Sequence, residues 1–271
     1  MFLILPACSF CILIAAILFA PLLTPHDPLA IRMDSVLLPP GSEHILGTDE
    51  LGRDIFSRLL YGGRVSIFVG AVTMLLSIAV GVAYGAVSGL AGGLIDRIMM
   101  RTIDAFLSIP SLLLMIGLQM MFPPSLMTIV LVISLTSWMP VARLIRTEIL
   151  TLKKEAFIQA STVVGASLGQ LLFRHMLPQC LPSVIVLAIN SLSHAILAEA
   201  TLSFLGIGLP PQEPSWGNIL MGAQGHLLSG AWWLVIFPGA CITYSILVIN
   251  FLGDKLLDYM AAPQFKKGGQ K

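Results

Sequence analysis

At 271 residues and a net charge of +1, the chain is 56% apolar and 11% charged, with a mean hydropathy of +0.92, where a soluble domain is about 25% charged. Long stretches free of Lys, Arg, Asp and Glu recur, several reaching the roughly 20 residues that cross about 30 Å of hydrocarbon, which excludes a water-soluble fold. The near-neutral charge offers no basic footprint for nucleic acid, and the four scattered cysteines, Cys8, Cys11, Cys180 and Cys241, read as small apolar residues rather than as redox or metal sites.

The first apolar run, Phe2 to Leu23, is expected to be a membrane helix. A secretory signal would end on a small-x-small site, whereas Pro21 and a Thr24-Pro25-His26 turn follow here. No basic leader precedes the run, which leaves open a natural start further upstream. The remaining spans are expected at Val65 to Ser88, Ala105 to Phe122, Leu126 to Ala142, Leu181 to Ile207 and Ala231 to Leu252. The fold class is therefore all-α and polytopic, with about six transmembrane helices. Segment 1–23 is the first, 24–64 an extracytoplasmic loop, 65–258 a five-helix permease domain with an inner loop at 143–178, and 259–271 a cytoplasmic tail.

Basic residues set the orientation. With both termini in the cytoplasm, eleven lie inside: Arg97, Arg101, Arg143, Arg146, Lys153, Lys154, Arg174, Lys255, Lys266, Lys267 and Lys271. Only Arg32, Arg53, Arg58 and Arg64 fall outside, in a loop that also holds six acids from Asp27 to Asp54.

No engine is visible: there is no G-x-x-x-x-G-K-S/T, H-E-x-x-H, G-x-S-x-G or G-x-G-x-x-G motif. No catalytic set and no cofactor site is expected, and the energy for any transport must come from a partner or an ion gradient.

On the inner side, Glu155 to Pro178 reads as two short helices broken at Gly165, with Ser167 and Gln170 spaced for a capping box that starts the second. A surface helix held between two spans by a glycine hinge is a suitable lever. On helix two, Gly81, Gly85 and Gly89 recur every four residues, the small-xxx-small pattern of close helix packing. Glu199 is a carboxylate in an apolar span and should face the bundle interior, because an ionisable group in lipid is costly. Asn190 and His194 share that span, while Glu199 lies about 140° further round the axis. The three are the candidates for the translocation path, with a satisfied structural hydrogen bond as the competing role for Glu199. His194 is read as packed or hydrogen-bonded rather than as a metal ligand.

Outside, Gly47, Gly52, Gly62 and Gly63 mark turns, and Asp49, Arg53, Asp54 and Arg58 are close enough for ion pairs. Asp54 and Arg58 would be i, i+4 neighbours on a helix. A loop staple that orders the approach to helix two is the favoured role, ahead of contact with cargo or with a docking protein.

The inner segment resembles the EAA loop of binding-protein-dependent ABC importer permeases at Gln159, Ala160, Ser161, Gly165, Leu177 and Pro178, with Gln159 and Ser161 departing from Glu and Ala. Leu46-Gly-Thr-Asp-Glu-Leu-Gly-Arg-Asp-Ile-Phe-Ser-Arg-Leu-Leu-Tyr-Gly-Gly-Arg-Val-Ser66, Leu202-Ser-Phe-Leu-Gly-Ile-Gly-Leu-Pro-Pro211, Pro214-Ser-Trp-Gly217 and Asn250-Phe-Leu-Gly-Asp254 are similar to signatures of C-type permeases of dipeptide, oligopeptide and nickel importers. That resemblance implies a multi-pass cell-membrane subunit paired with a second, homologous permease, two ATP-binding subunits and an extracytoplasmic solute-binding protein. It also implies a coupling helix between helices four and five that presents Glu155, Ala156, Gln159, Ala160, Ser161, Gly165, Ala166 and Pro178 to an ATPase. The cargo it implies is a di- or oligopeptide, or nickel free or chelated. The rival reading is a secondary transporter, which would show charge pairs in the membrane and inverted repeats. A membrane hydrolase fails because Ser193 and His194 are adjacent and cannot face each other across a site.

Overall fold

The computed structural model describes residues 4–226 and 230–267, with side chains between 8 and 257. Among them the chain is helical, without a strand: α1 (Ile4–Leu18), α2 (Ala20–Leu23), α3 (Ile55–Ala91), α4 (Gly93–Leu107), α5 (Ser111–Gln119), α6 (Leu126–Leu152), α7 (Ala156–Val163), α8 (Leu168–Gln170), α9 (Leu177–Phe204), α10 (Trp216–Ala223) and α11 (Trp233–Lys267). The all-α membrane fold read from composition is observed.

Helix α3 is the axis of the bundle, packing along α6 and α9. Its 37 residues extend about 55 Å at 1.5 Å per residue, well beyond the hydrocarbon thickness. It starts at Ile55, so the last ten residues assigned above to the outer loop belong to the helix, and Gly62 and Gly63 are helical rather than turn residues. Asp54 decides this start: its side chain accepts a bond from Ser57 N at 2.8 Å and caps the helix. Gly81, Gly85 and Gly89 do pack α3 on α6. A Cβ at Gly81 would stand 2.5 Å from Val141 Cβ, one at Gly89 2.9 Å from Ile149, and one at Gly85 would meet the Ala142 carbonyl.

Among the described residues, four helices are long and apolar enough to cross a membrane, Ile55–Ala91, Leu126–Leu152, Leu168–Phe204 and Trp233–Leu257. The span expected at Ala105 to Phe122 is instead a broken pair, α4 and α5, bent by 83°. The cause is Ser108-Ile109-Pro110: proline drives the residue before it out of the helical region, so α4 ends at Leu107 and Pro110 starts α5. The pair counts as a fifth span if taken as one; the first run appears as α1 and the short α2. Its four cysteines form no disulfide, and Cys8 and Cys11 are exposed on α1.

The second inner helix is also not a separate unit. From the Ser167 cap the chain passes through a π-helical turn, Leu171–Met176, directly into α9, so that Leu168 to Phe204 is one continuous stretch. Pro178, at the start of α9, and Pro182, inside it, sit where freed carbonyls are tolerated next to the π turn.

Candidate functional site

Two polar regions frame the bundle at opposite ends. At the inner end, α7 stops at a glycine: Gly165 has φ +93°, its N–H donates to Thr162 O at 3.0 Å, and Ala166 N donates to Ser161 O at 3.1 Å. This is the Schellman pattern, in which a left-handed residue satisfies the last helical carbonyls. After it the capping box forms as spaced, with Ser167 N donating to Gln170 Oε1 at 2.9 Å and Gln170 N to Ser167 Oγ at 3.3 Å. Helix α7 has one buried residue, Ile158, which shares an apolar cluster with Ile145 and Ile149 of α6 and Leu171 and Met176 of the π turn. Its other face is open: Val163 and Val164 are each 88% exposed, and Phe157 and Phe173 are exposed beside them. Glu155, Ala156, Gln159, Ala160 and Pro178 are also exposed, Ser161 and Ala166 partly so. The Gln159 amide folds back to donate to Lys154 O at 3.2 Å.

Close to the lever, polar bonds tie the broken span to α6. Arg146 holds Asp96 through Nε at 2.8 Å and Nη2 at 2.5 Å, Ser88 Oγ of α3 donates to the same carboxylate at 2.6 Å, and Arg143 bonds Asp104 at 2.5 Å. A bidentate Arg–carboxylate pair fixes orientation as well as charge. Counted for orientation, Arg143 and Arg146 are only inner-side charges; the sequence clue to their pairing is the presence of Asp96 and Asp104 among apolar residues.

Mid-bundle, a cleft of about 370 Å³ opens between the α4–α5 break, α6 and α9, and Asn190 and His194 line it with Thr136 and Ser137. Glu199 does not. It is fully buried on the other side of α9, where Ser66 Oγ donates to it at 2.7 Å, Ser203 Oγ at 2.9 Å, and Ser215 also bonds it. The inward orientation expected of Glu199 holds, but the structure removes it from the cleft that Asn190 and His194 share.

This carboxylate is the hub of the outer end. Ser66 Oγ accepts from Trp216 N at 3.3 Å, the Trp216 indole donates to Leu59 O at 3.0 Å, and Asn218 Nδ2 donates to Pro210 O at 3.1 Å and Glu213 O at 2.9 Å. The Leu202–Pro211 and Pro214–Gly217 signatures are thus the parts that seat α10 against α3 and α9. The Asn250–Asp254 signature packs α11 on α9, with Ser193 Oγ donating to Asn250 at 3.1 Å and Gly253 against Ile189.

In the outer loop, Gly47 (φ +80°) and Gly52 (φ +70°) hold left-handed turns as expected; a side chain at Gly52 would run into the Arg32 carbonyl. The ion pairs differ from the helical spacing argument. Arg58 reaches Asp49 at 3.5 Å, and Arg53 Nε donates to Asp49 at 2.7 Å, whereas Asp54 is committed to Ser57 and to His44. The i, i+4 pair loses because the cap geometry turns the Asp54 carboxylate toward the first helical N–H groups. The Trp233 indole closes the loop by donating to Thr48 O at 3.0 Å.

Residues 78–262 match the family described as binding-protein-dependent transport system inner membrane component. The chain belongs to this family. The permease is 39% identical over 238 residues to the dipeptide transport system permease protein DppC of Bacillus subtilis (strain 168), covering 88% of this chain and 74% of that one. It is 40% identical over 247 residues to a protein of Brucella suis biovar 1 (strain 1330) provisionally named a peptide permease, covering 91% and 82%. Its fold is similar to that of a chain of the MetNI methionine ABC transporter in an inward-facing conformation, with a TM-score of 0.61 at 17% identity, over 73% of this chain and 94% of that one. The family membership drawn from the four signatures is borne out, and the permease is an inner-membrane component of an ABC transport system.

Proposed function

We propose that this permease carries di- or oligopeptides across the cytoplasmic membrane as one of two homologous permease subunits, driven by two ATP-binding subunits and supplied by an extracytoplasmic solute-binding protein. The observation that carries this reading is the lever from Glu155 to Pro178: an exposed apolar face at Phe157, Val163 and Val164, anchored in the α6–α9 cluster by Ile158 of α7 and by Leu171 and Met176 of the π turn. An apolar face of this kind suits burial in a groove of a partner protein. The continuity of the π turn with α9 provides the path for movement, since a displacement of α7 acts on Ile158 and Leu171 and hence on the helices that line the cleft at Asn190 and His194. In this reading the chain is not itself an enzyme and binds no cofactor; ATP is bound and hydrolysed by the partners. Peptide cargo is supported by the names of the relatives at 39–40% identity, with nickel, free or chelated, as the alternative in the same permease group.

Reconstitution with the partner subunits in proteoliposomes tests the lever. Gly165→Leu is expected to abolish ATP-dependent uptake and to loosen co-purification with the ATP-binding subunits, while the protein stays in the membrane. Unchanged uptake overturns the lever assignment, and uptake that survives inactivation of both ATPases points instead to an ion-gradient transporter. The ligand retained by the purified cognate binding protein decides between peptide and nickel.

A further inference from the structure

Three outer-end side chains that the transport reading leaves unused converge on one point. His44 Nδ1 lies 2.9 Å from Asp54 Oδ1, and His26 Nδ1 lies 3.9 Å from the same oxygen. The two imidazoles are 4.8 Å apart between centroids, and one ligand atom from each of the three residues falls within 4.8 Å of the other two. Of these ligand atoms, His26 Nδ1 is buried without a hydrogen-bond partner, a condition that costs free energy in an interior. The other carboxylate oxygen, Asp54 Oδ2, is held by Ser57 N and Ser57 Oγ, each at 2.8 Å, which leaves Oδ1 aimed at the histidines.

We propose that His26, His44 and Asp54 form a binding site for a divalent first-row transition ion of the Zn²⁺ class. Bonds of about 2.0–2.1 Å in tetrahedral geometry place ligand atoms about 3.4 Å apart, a spacing that the 2.9 Å and 3.9 Å separations bracket. Two neutral imidazoles and one carboxylate are the donor set that borderline ions prefer to hard ones such as Mg²⁺. The three ligands come from the chain just after α2, from the middle of the outer loop and from the cap of α3, so a bound ion would fasten the loop at both ends to the axis of the bundle. His26 also lines an open cavity of about 520 Å³ with Thr24, Tyr61 and Pro214, which gives an ion access and leaves room for a water or a residue of a docking protein as the fourth ligand. His26 and His44 are too far apart in sequence to form a recognised ligand spacing. The site is away from the mid-bundle cleft, so it is separate from any metal carried as cargo.

The test uses the full chain in detergent micelles, purified through a histidine-free tag and stripped with chelator. Cys8→Ser and Cys11→Ser are present throughout, since exposed thiols on one helix would bind the probe. Co²⁺ alone is expected to bind at one equivalent per chain with a visible ligand-field band, and Zn²⁺ to displace it. His26→Gln and His44→Gln are each expected to weaken Co²⁺ binding by at least ~100-fold. His26→Gln changes a loop residue whose side chain is 20% exposed and is expected to melt like the parent in the absence of metal; the melting point of the parent, unlike that of this variant, is expected to rise with added Zn²⁺. No band at stoichiometric Co²⁺, or equal affinity in the parent and both histidine variants, overturns the proposal.

Discussion

Ser66 of α3 and Glu199 of α9 are separated by 133 residues in sequence and by 2.7 Å in the fold. Their bond, with Trp216 N on the same hydroxyl, locks α3, α9 and α10 at one point inside the bundle. Removing the hydroxyl leaves buried polar atoms unpaired, so Ser66→Ala is expected to lower stability by about 1–3 kcal/mol. Glu199→Gln, which keeps size and hydrogen-bonding capacity, is expected to cost less than Glu199→Ala. Thermal unfolding of the three variants in one detergent checks the order. A Glu199→Gln protein that melts normally yet cannot transport would show that the carboxylate acts on cargo after all.

The close approach of α3 and α6 makes Gly85 intolerant of size. Overpacking costs typically 1–3 kcal/mol, and because the obstacle is the Ala142 carbonyl rather than a side chain that can swing aside, Gly85→Leu is expected at or above the upper end. Gly239→Ala on α11, where a Cβ meets nothing within 4 Å, is expected to leave the melting point of the isolated chain near its parent value. Similar losses at the two positions would count against the packing role.

Arg146 and Asp96 cross-link the broken span to α6 beside the lever. Arg146→Ala and Asp96→Asn are each expected to reduce ATP-coupled uptake, and a double-mutant cycle on stability is expected to give a coupling of about 1 kcal/mol or more. Arg146→Lys, which cannot form the bidentate pair, is expected to behave more like alanine than like arginine. Additive losses across the cycle would show that the pair is incidental.

Asn190 and His194 line the cleft without supporting the core, and both are exposed there. Asn190→Leu and His194→Leu are expected to change the KM for uptake severalfold with little change in melting temperature, whereas substitutions at Glu199 move the melting temperature first. Kinetic constants that stay at parental values in both leucine variants would remove these residues from the path.

Local features of the chain were legible because their causes are local. The Schellman stop at Gly165, the Ser167–Gln170 box and the turns at Gly47 and Gly52 each follow from residue type at fixed spacing. The break at Pro110 is equally local, but hydropathy averages across it and reads one span. Arg58 could not be assigned from spacing, since its partner depended on whether Asp54 was free, and the cap had already claimed that carboxylate.

What the sequence by itself determined is the solvent, the class of fold, the family signatures and the position of the Gly165 break, all of which depend on composition or on residues within one turn or two of each other. Tertiary structure alone decided which polar groups meet. The bilayer interior cannot satisfy a buried carboxylate or hydroxyl, so Glu199 had to find partners inside the protein. That those partners are Ser66, Ser203 and Ser215 depends on how α3, α9 and α10 pack, and the same packing leaves Asn190 and His194 to the cleft.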